Sequence, residues 1–203
     1  MINIQRMVDE SGIHNFDKSI KIGTIGETIM EYFIQREFAV SSIVSVAKDP
    51  MYQQDDIDFI VTFKNGTKRT LEVKTDTYDT NFFYELISND IYKTPGCMVK
   101  TKADIVVYYF INLEDVYFID RCHFQKWFKQ HEYDTTVDKY GLSEPIMQAK
   151  TLKNTDKSGL GTYNSKGKVF SRVFFEENFD GWYQKFELKD IPYNDLILKA
   201  LSR

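Results

Sequence analysis

Two carboxylates and a lysine recur at a spacing that suits a divalent cation and the hydrolysis of a phosphate ester. Asp58 lies in DIDFIVTF, and Glu72 and Lys74 lie in KRTLEVKT. Side chains of a strand alternate between its faces, so Asp58, Ile60 and Thr62 share one face and Ile57, Phe59, Val61 and Phe63 the other. By the same rule Thr70, Glu72 and Lys74 point one way while Leu71 and Val73 point the other. Glu72 and Lys74 are then neighbours, about 6.6 Å apart along the strand.

Whether Asp58 joins them depends on the turn. Lys64-Asn65-Gly66 separates the two runs, and Asn-Gly between apolar strands is a hairpin signal. A two-residue Asn65-Gly66 turn would set Asp58 opposite Val73 and scatter the charges. A three-residue loop closed by Gly66 in the left-handed conformation, a G1 bulge, pairs Phe63 with Thr67 and sets Asp58 opposite Glu72. Like charges directly opposite destabilise a ladder, so this register makes sense when a cation lies between them. Carboxylate oxygens are hard ligands, suited to Mg²⁺ or Mn²⁺. A cation there lowers the pKa of bound water and stabilises a leaving oxygen, while Lys74 is placed to hold water or to offset charge growing on phosphorus.

Several elements must position these groups. DKSIKIGTIGETIMEYFIQREF (residues 17 to 38) predicts a helix with Ile22, Ile25, Ile29 and Phe33 along one stripe. Gly23 and Gly26, one turn apart, allow a close approach to the sheet or to a phosphate. A strand is expected at VSSIVSVA, followed by the hairpin, and FFYELISNDIY reads equally as helix or strand. ADIVVYYFI and VYFID read as strands and HFQKWFKQHEY as a helix. Beyond residue 138 the expectations are a strand near PIMQAKTL, a basic loop over 153 to 168, a strand at VFSRVFFE and a terminal helix from about Asn194 to Arg203. The succession predicts one α/β domain over residues 1 to 203: a mixed sheet flanked by helices, a core over about 17 to 135, and a C-terminal elaboration over about 138 to 203.

Composition bounds the function. With 42% hydrophobic and 15% aromatic residues among 203, the chain can bury a full core. No stretch is long and apolar enough to span a membrane, and MINIQRMVDESG lacks a signal-peptide pattern, so a cytoplasmic protein without a membrane partner is expected. Cys97 and Cys122 are too few for a disulfide framework and are expected to be reduced and buried. His14, His123 and His131 have no zinc spacing. The net charge is −4, yet Lys150, Lys153, Lys157, Lys166, Lys168 and Arg172 oppose only Asp156 within residues 150 to 172, which makes that window +5 and the rest −9. Such asymmetry marks either a phosphate-contacting segment or a solvated loop. Lys100 and Lys102, at the entry to ADIVVYYF, are further candidate phosphate contacts. GLGTYNSKG lacks the order of a P-loop, and no Gly-x-Ser-x-Gly elbow occurs.

Asp58, thirteen intervening residues and Glu72-Val73-Lys74 across a strand-turn-strand resemble the PD-(D/E)xK nuclease superfamily, in particular its phage-type and Holliday junction resolvase-like members. The similarity spans roughly residues 20 to 120, and the proline of the family motif is absent, since Asp56-Ile57 precedes Asp58. The resemblance implies a restriction-endonuclease-like αβββαβ core. It also implies Asp58 and Glu72 as metal ligands, the Val73 carbonyl as a third, Lys74 as the catalytic lysine, and Glu27 in GTIGETIMEYFI as the glutamate of the first helix. The activity it implies is that of a Mg²⁺- or Mn²⁺-dependent endonuclease acting on DNA, with branched or structured DNA as one expected substrate, and a homodimer where both strands are cut. The alternatives are a nuclease-fold binding protein without catalysis, or an enzyme acting on RNA or cyclic nucleotides. A wide channel would favour duplex DNA, and a closed pocket a small nucleotide.

Overall fold

The computed structural model describes residues 13–14, 16–156, 158–179 and 181–202. In chain order, β1 (Ile13–His14) precedes the 22-residue α1 (Phe16–Glu37), β2 (Val40–Ser45), α2 (Pro50–Gln53), β3 (Phe59–Phe63) and β4 (Lys68–Asp76). Next come β5 (Asn81–Asn89), β6 (Thr94–Pro95), α3 (Cys97–Lys100), β7 (Ile105–Phe110), β8 (Asp115–Asp120) and α4 (Arg121–His131). The remainder comprises β9 (Thr135–Val137), β10 (Ser143–Pro145), β11 (Gln148–Thr155), β12 (Thr162–Ser171), α5 (Arg172–Asn178), β13 (Tyr183–Glu187) and α6 (Tyr193–Leu201).

A mixed six-stranded sheet in the order β13-β8-β7-β4-β3-β2 forms the centre, with β4 and β7 parallel and the other neighbours antiparallel. Helices flank it. On one face Leu71, Val73, Val107 and Tyr109 meet Ile25, Ile29 and Phe33 of α1 and Leu196, Ile197 and Ala200 of α6. Ile25, Ile29 and Phe33 are the stripe expected from their spacing, and burying each stabilises the fold by roughly 1.5–3 kcal/mol. On the other face Val106, Tyr108 and Phe110 meet Phe124, Trp127 and Phe128 of α4 and Phe175 of α5.

Several expectations are corrected. A second large sheet, β1-β11-β12-β5-β6, accompanies the first, in place of the single sheet that the pattern predicts. It packs Phe82, Tyr84 and Phe170 into the cluster that covers Val106 and Tyr108. FFYELISNDIY resolves as strand, because Phe82 and Tyr84 enter that core while Glu85 turns to the opposite face. The basic segment is a long antiparallel hairpin of β11 and β12 instead of a loop. The strand expected at VFSRVFFE stops at Ser171, whose hydroxyl accepts the Phe174 N–H and caps α5. β13 and the β9–β10 hairpin arise where the pattern predicts no element. The connection from β4 to its parallel neighbour β7 carries β5, β6 and the four-residue α3 in place of a full crossover helix. No helix among the described residues is long and apolar enough to cross a membrane.

Candidate functional site

The β3–β4 turn has the three-residue form. Phe63 N–H donates to the Thr67 carbonyl at 2.8 Å, Gly66 N–H donates to the Phe63 carbonyl at 2.9 Å, and Gly66 has φ +84°. Asn65 Oδ1 accepts the Thr67 N–H at 2.9 Å and holds the loop. The ladder then pairs Phe59 with Leu71, which sets Asp58 opposite Glu72 as expected.

At that point β3 ends and β4 continues through Glu72, Lys74 and Asp76. Asp58 crosses the gap with its side chain: Val73 N–H donates to Asp58 Oδ2 at 2.8 Å. Its backbone stays in the sheet through bonds from Asp58 N–H to the Leu71 carbonyl and from Val46 N–H to the Asp58 carbonyl, both 2.8 Å. A carboxylate thus replaces the missing strand as acceptor, beside Glu72.

Electrostatics shows the strain of this placement. Burial pushes the Asp58 carboxyl up; the Val73 N–H and a hydrogen bond with Glu72 oppose that shift. Glu72 is raised much further, first by burial and then by the charges of Asp58 and Asp56, with Lys74 opposing. Burial and the neighbouring acids thus hold both carboxyls above the ordinary carboxylate range. Burial alone would lower the Lys74 amine, but Cys97, Glu85, Asp76 and Glu72 outweigh it and raise the amine overall. Cys97 itself is pushed up by burial and is a neutral thiol at neutral pH, so the acids keep Lys74 charged.

The end of β4 opens into a cleft of about 550 Å³. Glu72, Lys74 and Asp76 lie on its floor, Ser19, Ile20, Ile22 and Gly23 of α1 on one side, and the five-stranded sheet on the other. Gly26 of α1 is pressed against β4: a Cβ there would lie 1.8 Å from Thr75 Oγ1, whereas one at Gly23 would meet nothing within 4 Å. The two glycines therefore differ in role, Gly26 seating the helix on the sheet and Gly23 lining the cleft. Tyr108 OH donates to Asp76 Oδ2 at 2.6 Å and accepts the Phe83 N–H at 2.9 Å, which ties the floor to the opposite sheet.

Glu27, the glutamate that the resemblance implies, lies on α1. It is half-buried on α1 one turn beyond Gly23, and among the described residues no three His, Cys, Asp or Glu groups stand where they could hold one ion. The carboxylates that the register brings together are Asp58 and Glu72. Two neighbouring buried carboxylates suit a hard cation that keeps several waters, as Mg²⁺ does.

The expected phosphate contacts are mostly engaged elsewhere. Lys100 Nζ lies 2.8 Å from Asp56 and also donates to the Gln53 carbonyl, and Lys102 lies 2.7 Å from Asp55, so both anchor the segment before β3. Lys166 lies 3.1 Å from Asp90. Lys168 reaches the Met147 carbonyl and sits over the Tyr133 ring. Arg172 pairs with Asp115 and donates to Tyr117 OH, within a network completed by Glu176 and Lys185. The acidic partners are remote in sequence from these cations, so local charge counting leaves them out. Lys157 lies outside the described residues. Of the basic window, Lys150 lines the cleft. Cys122 is exposed, contrary to expectation, and Cys97 is half-buried in the cleft.

Sequence reasoning also misses Asp76 and Glu85. Asp76 shares the face of Glu72 and Lys74 by simple alternation, a signal present in the sequence. Glu85, whose Oε2 accepts the Cys97 N–H at 3.1 Å, requires knowing that its segment is a strand. No protein-family model matches the chain, and no curated protein matches it either.

Proposed function

We propose that this chain is a metal-dependent nuclease of restriction-endonuclease-like design that hydrolyses DNA phosphodiester bonds. The carrying observation is the register that sets Asp58 opposite Glu72 at the point where β4 outruns β3, with Asp58 fixed by the Val73 N–H and Lys74 next on the face of Glu72. The order α1-β2-β3-β4, followed by a connection to a strand parallel to β4, further supports the reading.

Asp58, Glu72 and the Val73 carbonyl would hold Mg²⁺ or Mn²⁺, which when bound supplies Lewis acidity toward a phosphate oxygen and acidifies water. Asp58 is fixed for this task by the Val73 N–H. Lys74 keeps its proton because acids surround it, so it does not act as a base. Its ammonium instead orients water and offsets negative charge on the phosphoryl group in a cleft where such charge is poorly solvated. Removing that charge should slow cleavage at least about a hundredfold, in line with the loss of one preorganised donor.

The test combines activity with metal binding. Purified protein should cut plasmid, junction or single-stranded DNA with Mg²⁺ or Mn²⁺ and stop with EDTA, and calorimetric titration should detect Mn²⁺ binding that Asp58→Asn removes. Asp58→Asn and Lys74→Ala variants that fold yet cut at the wild-type rate would defeat the proposal. A single site cuts one strand, so the copies per complex, measured by sedimentation, report whether paired cuts are made.

A further inference from the structure

Resting on that reading, we infer that the cleft takes an unpaired nucleotide of a DNA strand, such as a single-stranded end or flap, and not an intact duplex. The cleft's shape and its far side argue for this. Its 550 Å³ equals a cube roughly 8 Å on an edge, whereas the major groove of a duplex alone is about 12 Å wide. That volume lies within the range of about 300–1,000 Å³ usual for small-ligand sites. Glu72, Lys74 and Asp76 lie on the floor, between the first turns of α1 and a second sheet, so a phosphate that reaches them must enter and not merely pass across the mouth.

The second sheet presents the chemistry of nucleotide recognition on its cleft face. Alternation along β12 turns Tyr163, Ser165 and Val169 inward, and along β11 it turns Lys150, Leu152 and Asn154 inward. Tyr163 is half-buried and belongs to neither of the two large core clusters, in a chain whose other aromatic residues are mostly packed there. It lines the cleft. Asn154 Nδ2 donates to Ser165 Oγ at 2.9 Å, which holds the amide on this face. Lys150 is an exposed cation at the rim, placed for a phosphate adjoining the one that reacts. Tyr78, 54% exposed, stands at the end of β4 and offers a second stacking surface. Aromatic stacking with a flanking cation is how unpaired strands are held without dependence on sequence.

This arrangement gives the five-stranded sheet a purpose beyond packing. Gly167, at the register shift between β12 and β5, lets the strands approach closely enough to shape it: a Cβ there would lie 2.2 Å from the Tyr84 carbonyl oxygen and 2.7 Å from the Phe83 ring.

The test measures the full chain on two labelled DNAs of one sequence, a single-stranded oligonucleotide and a blunt hairpin duplex. Cleavage with Mn²⁺ should favour the single strand at least tenfold. Tyr163→Ala should raise KM about tenfold, the loss of one stacked base, while Tyr163→Phe keeps wild-type KM. Fluorescence anisotropy without metal reads binding separately, with the same preference and the same effect of the two variants. If neither DNA is cut but the single strand binds and Tyr163→Ala weakens it, the cleft assignment stands and the nuclease reading falls. Equal or tighter duplex binding, a Tyr163→Ala variant that binds as the wild type, or competition by free mononucleotide as strong as by the oligonucleotide would overturn the assignment.

Discussion

Replacing Asp58 by two different residues separates its two duties. Its Oδ2 accepts the Val73 N–H at 2.8 Å, and its charge raises the neighbouring Glu72. Asp58→Ala leaves the N–H of a buried residue without its acceptor, which costs about 1–3 kcal/mol. For a chain of this length each kcal/mol moves Tm by about 2–4 °C, so Asp58→Ala should melt roughly 2–12 °C below Asp58→Asn. Asp58→Asn keeps an oxygen at the same place and removes one charge beside Glu72, so in EDTA it should melt at or above the wild-type temperature. Mn²⁺ at a hundredfold its Kd adds about 2.7 kcal/mol to the wild type, or roughly 5–11 °C, and should add nothing to either variant. Thermal unfolding followed by circular dichroism, in EDTA and in Mn²⁺, measures all six values. Equal melting of the two variants would refute the strand-capping role of Asp58, and a Mn²⁺ shift that persists in Asp58→Asn would refute the metal site.

Other residues give three more expected outcomes. Because Glu72 titrates higher in the folded chain than unfolded, the unfolded chain ionises first as pH rises; the metal-free wild type should therefore lose stability relative to Glu72→Gln as pH rises from about 4 toward neutral, read by urea unfolding, and a relative gain would contradict the upward shift of Glu72. Gly26→Ala should cost about 1–3 kcal/mol by driving a methyl into Thr75, whereas Gly23→Ala, which meets open space, should be neutral or slightly stabilising; equal effects in denaturant unfolding would count against the seating of α1. Arg172→Ala should lose roughly 1.5–3 kcal/mol by removing the nearer of Asp115's two cations, Lys185 remaining at 3.5 Å, while leaving DNA affinity within twofold of wild type, and a tenfold loss of affinity without loss of stability would restore the phosphate-binding role expected from its sequence.

The parts of the site that can be read in the sequence are local. Period-two alternation places Glu72 beside Lys74, and the choice between two turns at Asn65-Gly66 decides whether Asp58 faces Glu72, because turn length and register are coupled within a dozen residues. The helical stripe of α1 is legible for the same reason. Lys100, Lys102 and Arg172 are not, because a cation's partner is not a local property: Asp56 lies 44 residues from Lys100, and Asp115 lies 57 from Arg172.

By itself, then, the sequence determined the Asp58–Glu72–Lys74 register and the helix that backs it, since both depend on side-chain direction and one turn. Tertiary structure alone decided that Glu85 joins the acids around Lys74 and that a second sheet encloses the site. That sheet depends on pairings such as Phe83 with Val169, between segments whose own alternation favours no particular partner. Burial of Phe82, Tyr84 and Phe170 against the central sheet selects the pairing, and it thereby brings Tyr163 and Lys150 into the cleft that Glu72 and Lys74 line.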